Sequence, residues 1–212
     1  RYLEITEKNY GKDHENYAFG LNNLANLFSE IGQYAKAEEY YLMSNEIRKK
    51  KKGSESEIYA KGIATLAKFY MEIGNYKKAE ENYLESSNIY KKAKGEQSPE
   101  YGSSLNSLGI FYREMSRFKE SEENYTRYLE ITEKNYGKDH ENYAYGLSNL
   151  ANLFLDIGQY EKAEEYLFKS LDLIKKNKND THIDNFDPLQ NLAKLYDEIH
   201  EYEKAELFYK KA

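Results

Sequence analysis

The chain has 212 residues, with 31 basic against 37 acidic side chains for a net charge of -6, and it contains no cysteine. That balance argues against a nucleic-acid partner, which calls for a basic face toward phosphate, and zero Cys removes disulfides, thiolate zinc sites and a cysteine nucleophile. With no Val and only five Thr a sheet protein is not expected, and no apolar run is long enough to make a membrane span.

One short breaker recurs every 42 residues: Gly32-Gln33-Tyr34, Gly74-Asn75-Tyr76, Ser116-Arg117-Phe118, Gly158-Gln159-Tyr160 and His200-Glu201-Tyr202. Residues 1–13 read as the end of a helix B. In the first full unit, 14–55, apolar spacings of three and four predict helix A from about Glu15 to Ile31, with a stripe of Leu21, Leu24, Ala25 and Phe28. Helix B follows from about Ala35 to Lys50, with Ala37 and Tyr41 turned inward. Unit two, 56–97, repeats the stripe as Ile63, Leu66, Ala67 and Tyr70, then Ala79 and Tyr83. Unit three, 98–139, opens on Ser98-Pro99, an N-cap followed by proline at the first helical position. Unit four, 140–181, carries Leu147, Leu150, Ala151, Phe154 and Leu167. Unit five, 182–212, follows an irregular stretch from Lys178 to Phe186, and Asp187-Pro188 predicts a late start and a shorter helix A.

Gly32, Gly74 and Gly158, after helix A in three of the units, suit a left-handed cap. Gly20, Gly62 and Gly146, inside the first turns of helix A, point to close approach by the preceding helix B. A longer period also exists: residues 1–28 match 127–154 except at Phe19/Tyr145 and Asn22/Ser148, so a block of 126 residues is duplicated.

This pattern resembles the tetratricopeptide repeat family, in the longer 42-residue form found in kinesin light chains and many bacterial proteins. The linker Gly11-Lys12-Asp13-His14-Glu15 and the run Leu21-Asn22-Asn23-Leu24-Ala25 carry the likeness, although Glu15 and Glu141 stand where that linker usually has proline. The resemblance implies an all-α fold, an alpha-alpha superhelix or solenoid of stacked antiparallel helix pairs with a concave wall. It also implies a single array over 1–212, cut from a longer one, that binds a peptide or protein segment without catalysis. The alternative is a structural or regulatory region serving a larger signalling protein or enzyme, such as one with a CHAT peptidase domain. A cytoplasmic setting fits the lack of Cys and of any secretory pattern at the start, and the Lys, Asn, Tyr and Ile bias fits a bacterial AT-rich genome.

At 100° per residue, the helix A face opposite the stripe presents Phe19, Asn22, Asn23 and Asn26, then Lys61, Thr65 and Lys68 one unit later. The next units add Asn106 and Arg113, then Tyr145, Asn149 and Asn152, then Asn191 and Lys194. Ser148 and Leu155 fall on the same face. Carboxamides donate and accept, so the Asn residues suit the backbone of an extended peptide, a role that the resemblance also implies. Phe19 and Tyr145 would anchor a partner, and the cations could hold acidic side chains, although Glu30, Glu72, Glu114, Asp156 and Glu198 recur beside them.

Other motifs read as structural. His14, His140 and His182 share one linker slot and suit capping rather than metal binding, and the run Arg48 to Lys52 ends a helix where cations meet the negative dipole end. Tyr34, Tyr41, Tyr70, Tyr76, Tyr83, Tyr112 and Tyr125 fall on packed positions. No cofactor is expected. The apolar stripe left open at both ends predicts end-to-end self-association.

Overall fold

A computed structural model describes residues 1–177 and 186–212, so the reading of His182 as a linker cap lies outside the described residues. Eleven α-helices and no strand occur among the described residues. They are α1 (Tyr2–Tyr10), α2 (Glu15–Glu30), α3 (Tyr34–Lys52), α4 (Glu57–Glu72), α5 (Tyr76–Lys94) and α6 (Pro99–Glu114). The others are α7 (Phe118–Tyr136), α8 (Glu141–Asp156), α9 (Tyr160–Asn177), α10 (Phe186–Glu198) and α11 (Tyr202–Tyr209). Each breaker ends one helix and starts its partner, so consecutive helices pack as antiparallel pairs. The chain forms two compact units, Arg1–Ser104 and Leu105–Ala212.

The breaker works through the backbone. The amide after the positive-φ residue donates to the carbonyl five residues back, as in Gln33 to Phe28, Asn75 to Tyr70, Arg117 to Tyr112, Gln159 to Phe154 and Glu201 to Tyr196, each at 2.8 Å. This is the Schellman closure of a helix C-terminus, and it needs a left-handed residue at its corner. Gly32 supplies that conformation at φ 75°, whereas Ser116 and His200 adopt it at φ 55° and 63° despite their Cβ atoms. At the other end of the hairpins, His14 and His140 accept the amides of Asn16 and Asn142 through Nδ1 at 3.1 Å, while Ser98 accepts from Tyr101 at 3.2 Å ahead of Pro99. Helix α10 starts at Phe186 rather than after Asp187, because a proline anywhere in the first turn removes only an N–H that has no helical acceptor. It is shorter than the other A helices, as expected: 13 residues against 16 in α8.

Within three of the pairs a buried serine of helix B donates to a helix A carbonyl: Ser44 to Ala18 at 2.7 Å, Ser86 to Ala60 at 2.9 Å and Ser170 to Ala144 at 2.8 Å. Between pairs, Asn45 of α3 donates to the Gly62 carbonyl of α4 at 3.2 Å. A Cβ on Gly62 would lie 2.0 Å from Asn45 Oδ1, so the close approach read from the sequence is what the glycine permits. In the second unit Leu129 and Tyr128 crowd Gly146 in the same way.

The first unit buries Leu21, Ala25, Ile63, Leu66, Phe69 and Tyr70, and the second Leu150, Leu153, Phe154, Leu167, Leu192 and Tyr196. Each large side chain removed from water contributes about 1.5–3 kcal/mol. The basic end of α3 is more engaged than a solvated terminus: Lys50 and Lys52 reach Asp13 and Glu15 at 3.5 Å, and half-buried Arg48 donates to Asn45 at 3.3 Å.

Candidate functional site

Helix A in the first unit is covered on more than one side, so its free face is narrower than a single stripe suggests. Phe69 of α4, outside that stripe, is 1% exposed and packs 5.1 Å, centroid to centroid, from Tyr41. What remains open carries Asn26, Ser29 and Glu30 from α2 and Thr65, Lys68 and Glu72 from α4. With Tyr34 and Tyr41 of α3 and Phe69 they line an open pocket of about 460 Å³. Three residues read from the sequence as a binding face, Asn26, Thr65 and Lys68, are thus brought together. The apolar spacing places Tyr34 and Tyr41 in the packing and does not single out Phe69.

The polar groups in this pocket are partly engaged. Tyr41 donates to Asn26 Oδ1 at 2.6 Å, which leaves the Asn26 amide nitrogen to donate elsewhere, and Thr65 donates to the Lys61 carbonyl at 3.0 Å. Lys68 lies 3.8 Å from Glu72 in an exposed pair. The Tyr41 phenol is pushed up, by burial first and then by the negative charge of Glu72 and Glu30.

The other predicted positions are disposed as follows. Phe19 and Tyr145 are exposed, at 55% and 41%, as an anchor needs. Asn23 and Lys61 are exposed, whereas Asn22, Asn152 and Asn191 are half-buried. In the second unit Asn149 donates to Asn106 Oδ1 at 2.8 Å, so these two carboxamides bind each other across α6 and α8. Arg113 is only 20% exposed, between Glu114 at 3.2 Å and Asp156 at 3.4 Å, and Lys194 faces Glu198 at 3.8 Å.

Two expectations about this face need correction. Ser148 and Leu155 are buried, Ser148 against Ser170 at 2.8 Å, because neighbouring helices wrap further around α8 than one stripe. Tyr34 and Tyr76 are half exposed, at 50% and 48%, because each is the first residue of its helix B and projects past the facing helix.

A Glu–Tyr–Lys joint links successive pairs in the first unit, and its Glu–Tyr bond recurs in the second. Tyr70 donates to Glu38 at 2.6 Å, Lys78 pairs with Glu38 at 2.7 Å, and the Lys78 ammonium sits 4.8 Å above the Tyr70 ring. The Glu38 carboxyl is held below its usual range by the Lys78 hydrogen bond first and the Tyr70 one second, and the Tyr70 phenol is pushed up to about 12, chiefly by burial. Tyr196 binds Glu164 likewise, with Lys204 5.0 Å above its ring. His14 and His140 stack on Tyr10 and Tyr136 at 4.7 and 4.5 Å, in keeping with a linker role. Among the described residues no three acidic or histidine side chains are placed to hold a metal, and no helix is long and apolar enough to cross a membrane.

The tetratricopeptide repeat family matches residues 1–50, 62–134, 104–176 and 144–212. Among solved structures, BtubC (BKLC) from P. vanneervenii aligns with a TM-score of 0.81 at 20% identity, over 99% of this chain and 83% of that one. Nearly identical TPR-like repeats of a Podosopora anserina protein described as a kinesin light chain align at 0.74 and 21% identity, over 93% and 94%. A second crystal structure of those repeats, carrying a point substitution, aligns at 0.76 and 21% identity, over 93% of each. At these identities the likeness carries the fold, a solenoid of stacked antiparallel helix pairs. No curated protein sequence matches the chain.

Proposed function

Since the chain belongs to the tetratricopeptide repeat family, whose arrays generally serve protein–protein interaction, we propose that it is a non-catalytic scaffold that holds an extended peptide or protein segment along its A helices. The observation that carries this reading is the open pocket between α2 and α4, where carboxamide, hydroxyl, charged and aromatic groups converge on one surface. Asn23, Asn149 and Asn191 would meet the partner's backbone, and Phe19 and Tyr145 would take apolar side chains. The five-unit division at 14–55, 56–97, 98–139, 140–181 and 182–212, and a cytoplasmic setting, belong to the same proposal.

Replacing Asn23, Asn149 and Asn191 together with Ala should weaken a captured partner by at least about tenfold, at roughly 0.5–1.5 kcal/mol for each hydrogen bond lost. Thermal stability should fall only by the loss of the Asn149–Asn106 hydrogen bond, about 0.5–1.5 kcal/mol. Titration calorimetry with the captured segment measures this, and equal affinity before and after would remove the groove.

Exposed Leu27, Ile31, Leu207 and Tyr209 support a second property, association between copies. Scattering over a concentration series should show apparent mass rising above one chain. A constant single-chain mass would end this idea alone.

A further inference from the structure

The pocket in the first unit owes its existence to a small residue. Ser29 occupies the slot that Arg113 and Leu155 fill elsewhere in the repeat, and there the guanidinium lies against Asp156 or the leucine is buried. With Ser29 on α2 and Thr65 on α4, about 460 Å³ stays open, within the usual range for ligand sites of about 300–1,000 Å³. Two carboxylates, Glu30 and Glu72, face one ammonium, Lys68, so the lining carries an excess negative charge. The Lys68–Glu72 pair is exposed at 3.8 Å and holds weakly against a better partner. The half-exposed Tyr34 ring, 6.5 Å from Phe69, offers an aromatic face beside those carboxylates.

The repeat already uses this chemistry internally. Where Arg113 fills its slot, it bridges an acid of its own helix and one of the next, and Arg117 stacks 4.4 Å from the Tyr112 ring. We propose that the α2–α4 pocket is a specificity subsite for an arginine side chain of the bound segment. Its guanidinium takes the place that Arg113 fills two repeats later, against Glu30 and Glu72 and over Tyr34. A planar fork of donors suits two carboxylates and an aromatic face together better than a compact ammonium does. The partner is therefore basic at this point, whereas Arg113 and Lys194 in the later repeats are each already matched by a neighbouring acid. This inference rests on the groove reading above.

The test uses the full chain and immobilised random decapeptides whose central residue is fixed as Arg, Leu or Glu. The Arg set should retain the protein about fivefold more than either other set at low salt, and less so as salt rises. The variant Ser29→Arg, which builds the third unit's residue into the pocket, should bring the three sets within about twofold of one another, as should Glu30→Gln with Glu72→Gln. Helical circular dichroism should stay unchanged, since Arg113 already occupies that slot in the same scaffold. Greater retention by the Glu set, or an Arg preference that survives Ser29→Arg, overturns the subsite. Equal retention by all three sets, lost in the Asn23, Asn149 and Asn191 triple variant, overturns the subsite and leaves the groove standing. No retention by any set overturns both.

Discussion

Tyrosine hydroxyls of the same repeat face opposite fates. Tyr41 and Tyr70 donate to Asn26 and Glu38, whereas the Tyr125 hydroxyl is buried without a hydrogen-bond partner among the described residues. A buried donor left unmatched costs about 1–3 kcal/mol, so Tyr125→Phe should be neutral or stabilising, while Tyr70→Phe should cost about 1–2 kcal/mol; denaturant midpoints for the two variants compare them directly. Glu38 adds a pH dependence. Its folded-state carboxyl lies below the ordinary value of 4.5, so its contribution is present above that value and fades as pH falls through the folded one. Glu38→Gln should therefore lower the melting temperature near pH 7, and the gap from wild type should close in acid. The sequence showed that these tyrosines recur, but not which hydroxyl finds a partner. That depends on the facing residue of helix A: Asn26 accepts from Tyr41, whereas Ile110 stands at the equivalent position opposite Tyr125 and has no acceptor.

Helix boundaries were legible to within two residues, because breaker, cap and apolar spacing agree: Glu15–Ile31 against the observed Glu15–Glu30, and Ala35–Lys50 against Tyr34–Lys52. The recognition face was legible only in part. Period arithmetic gives one buried stripe, yet a helix packed on several neighbours buries a wider arc, which took in Phe69, Leu153, Ser148 and Leu155. The turns carry a prediction at this scale. Ser116 holds φ 55°, a conformation that costs an L residue about 1–2 kcal/mol. Ser116→Gly should raise stability by about 0.5–1 kcal/mol in thermal melts, the gain reduced by the extra freedom of the unfolded chain. The same change at His200 should give less, because its Nδ1 lies 3.0 Å from the Tyr202 hydroxyl.

Across the whole molecule, the abundance of tyrosine gives the fold a weakness toward alkali. Burial leads the upward shift at Tyr41, Tyr59, Tyr70, Tyr83, Tyr90, Tyr125, Tyr128 and Tyr196, and four of them, Tyr59, Tyr70, Tyr83 and Tyr125, reach about 12. A raised folded-state value means stability that is full below the unfolded value of about 10 and is lost as pH climbs toward 12. Phenolate absorbance should rise in two stages, exposed rings first, with the second coinciding with loss of helical signal. A single stage near pH 10 with helices intact would contradict the burial.

The Glu38–Tyr70 hydrogen bond reappears as Glu164–Tyr196, 126 residues on, with Lys204 over the Tyr196 ring as Lys78 is over Tyr70, and the flanking stretches 1–28 and 127–154 are nearly identical. Genetic crossover between those stretches would excise or insert three hairpins at once, and the new seam would meet the same interlocking side chains as the old. Fusing Phe28 directly to Leu155 amounts to residues 127–212 carrying only Tyr145→Phe and Ser148→Asn. Such a gene can thus shrink or grow by whole blocks while the junctions stay chemically unchanged, and length variants among natural isolates should differ in steps of that size.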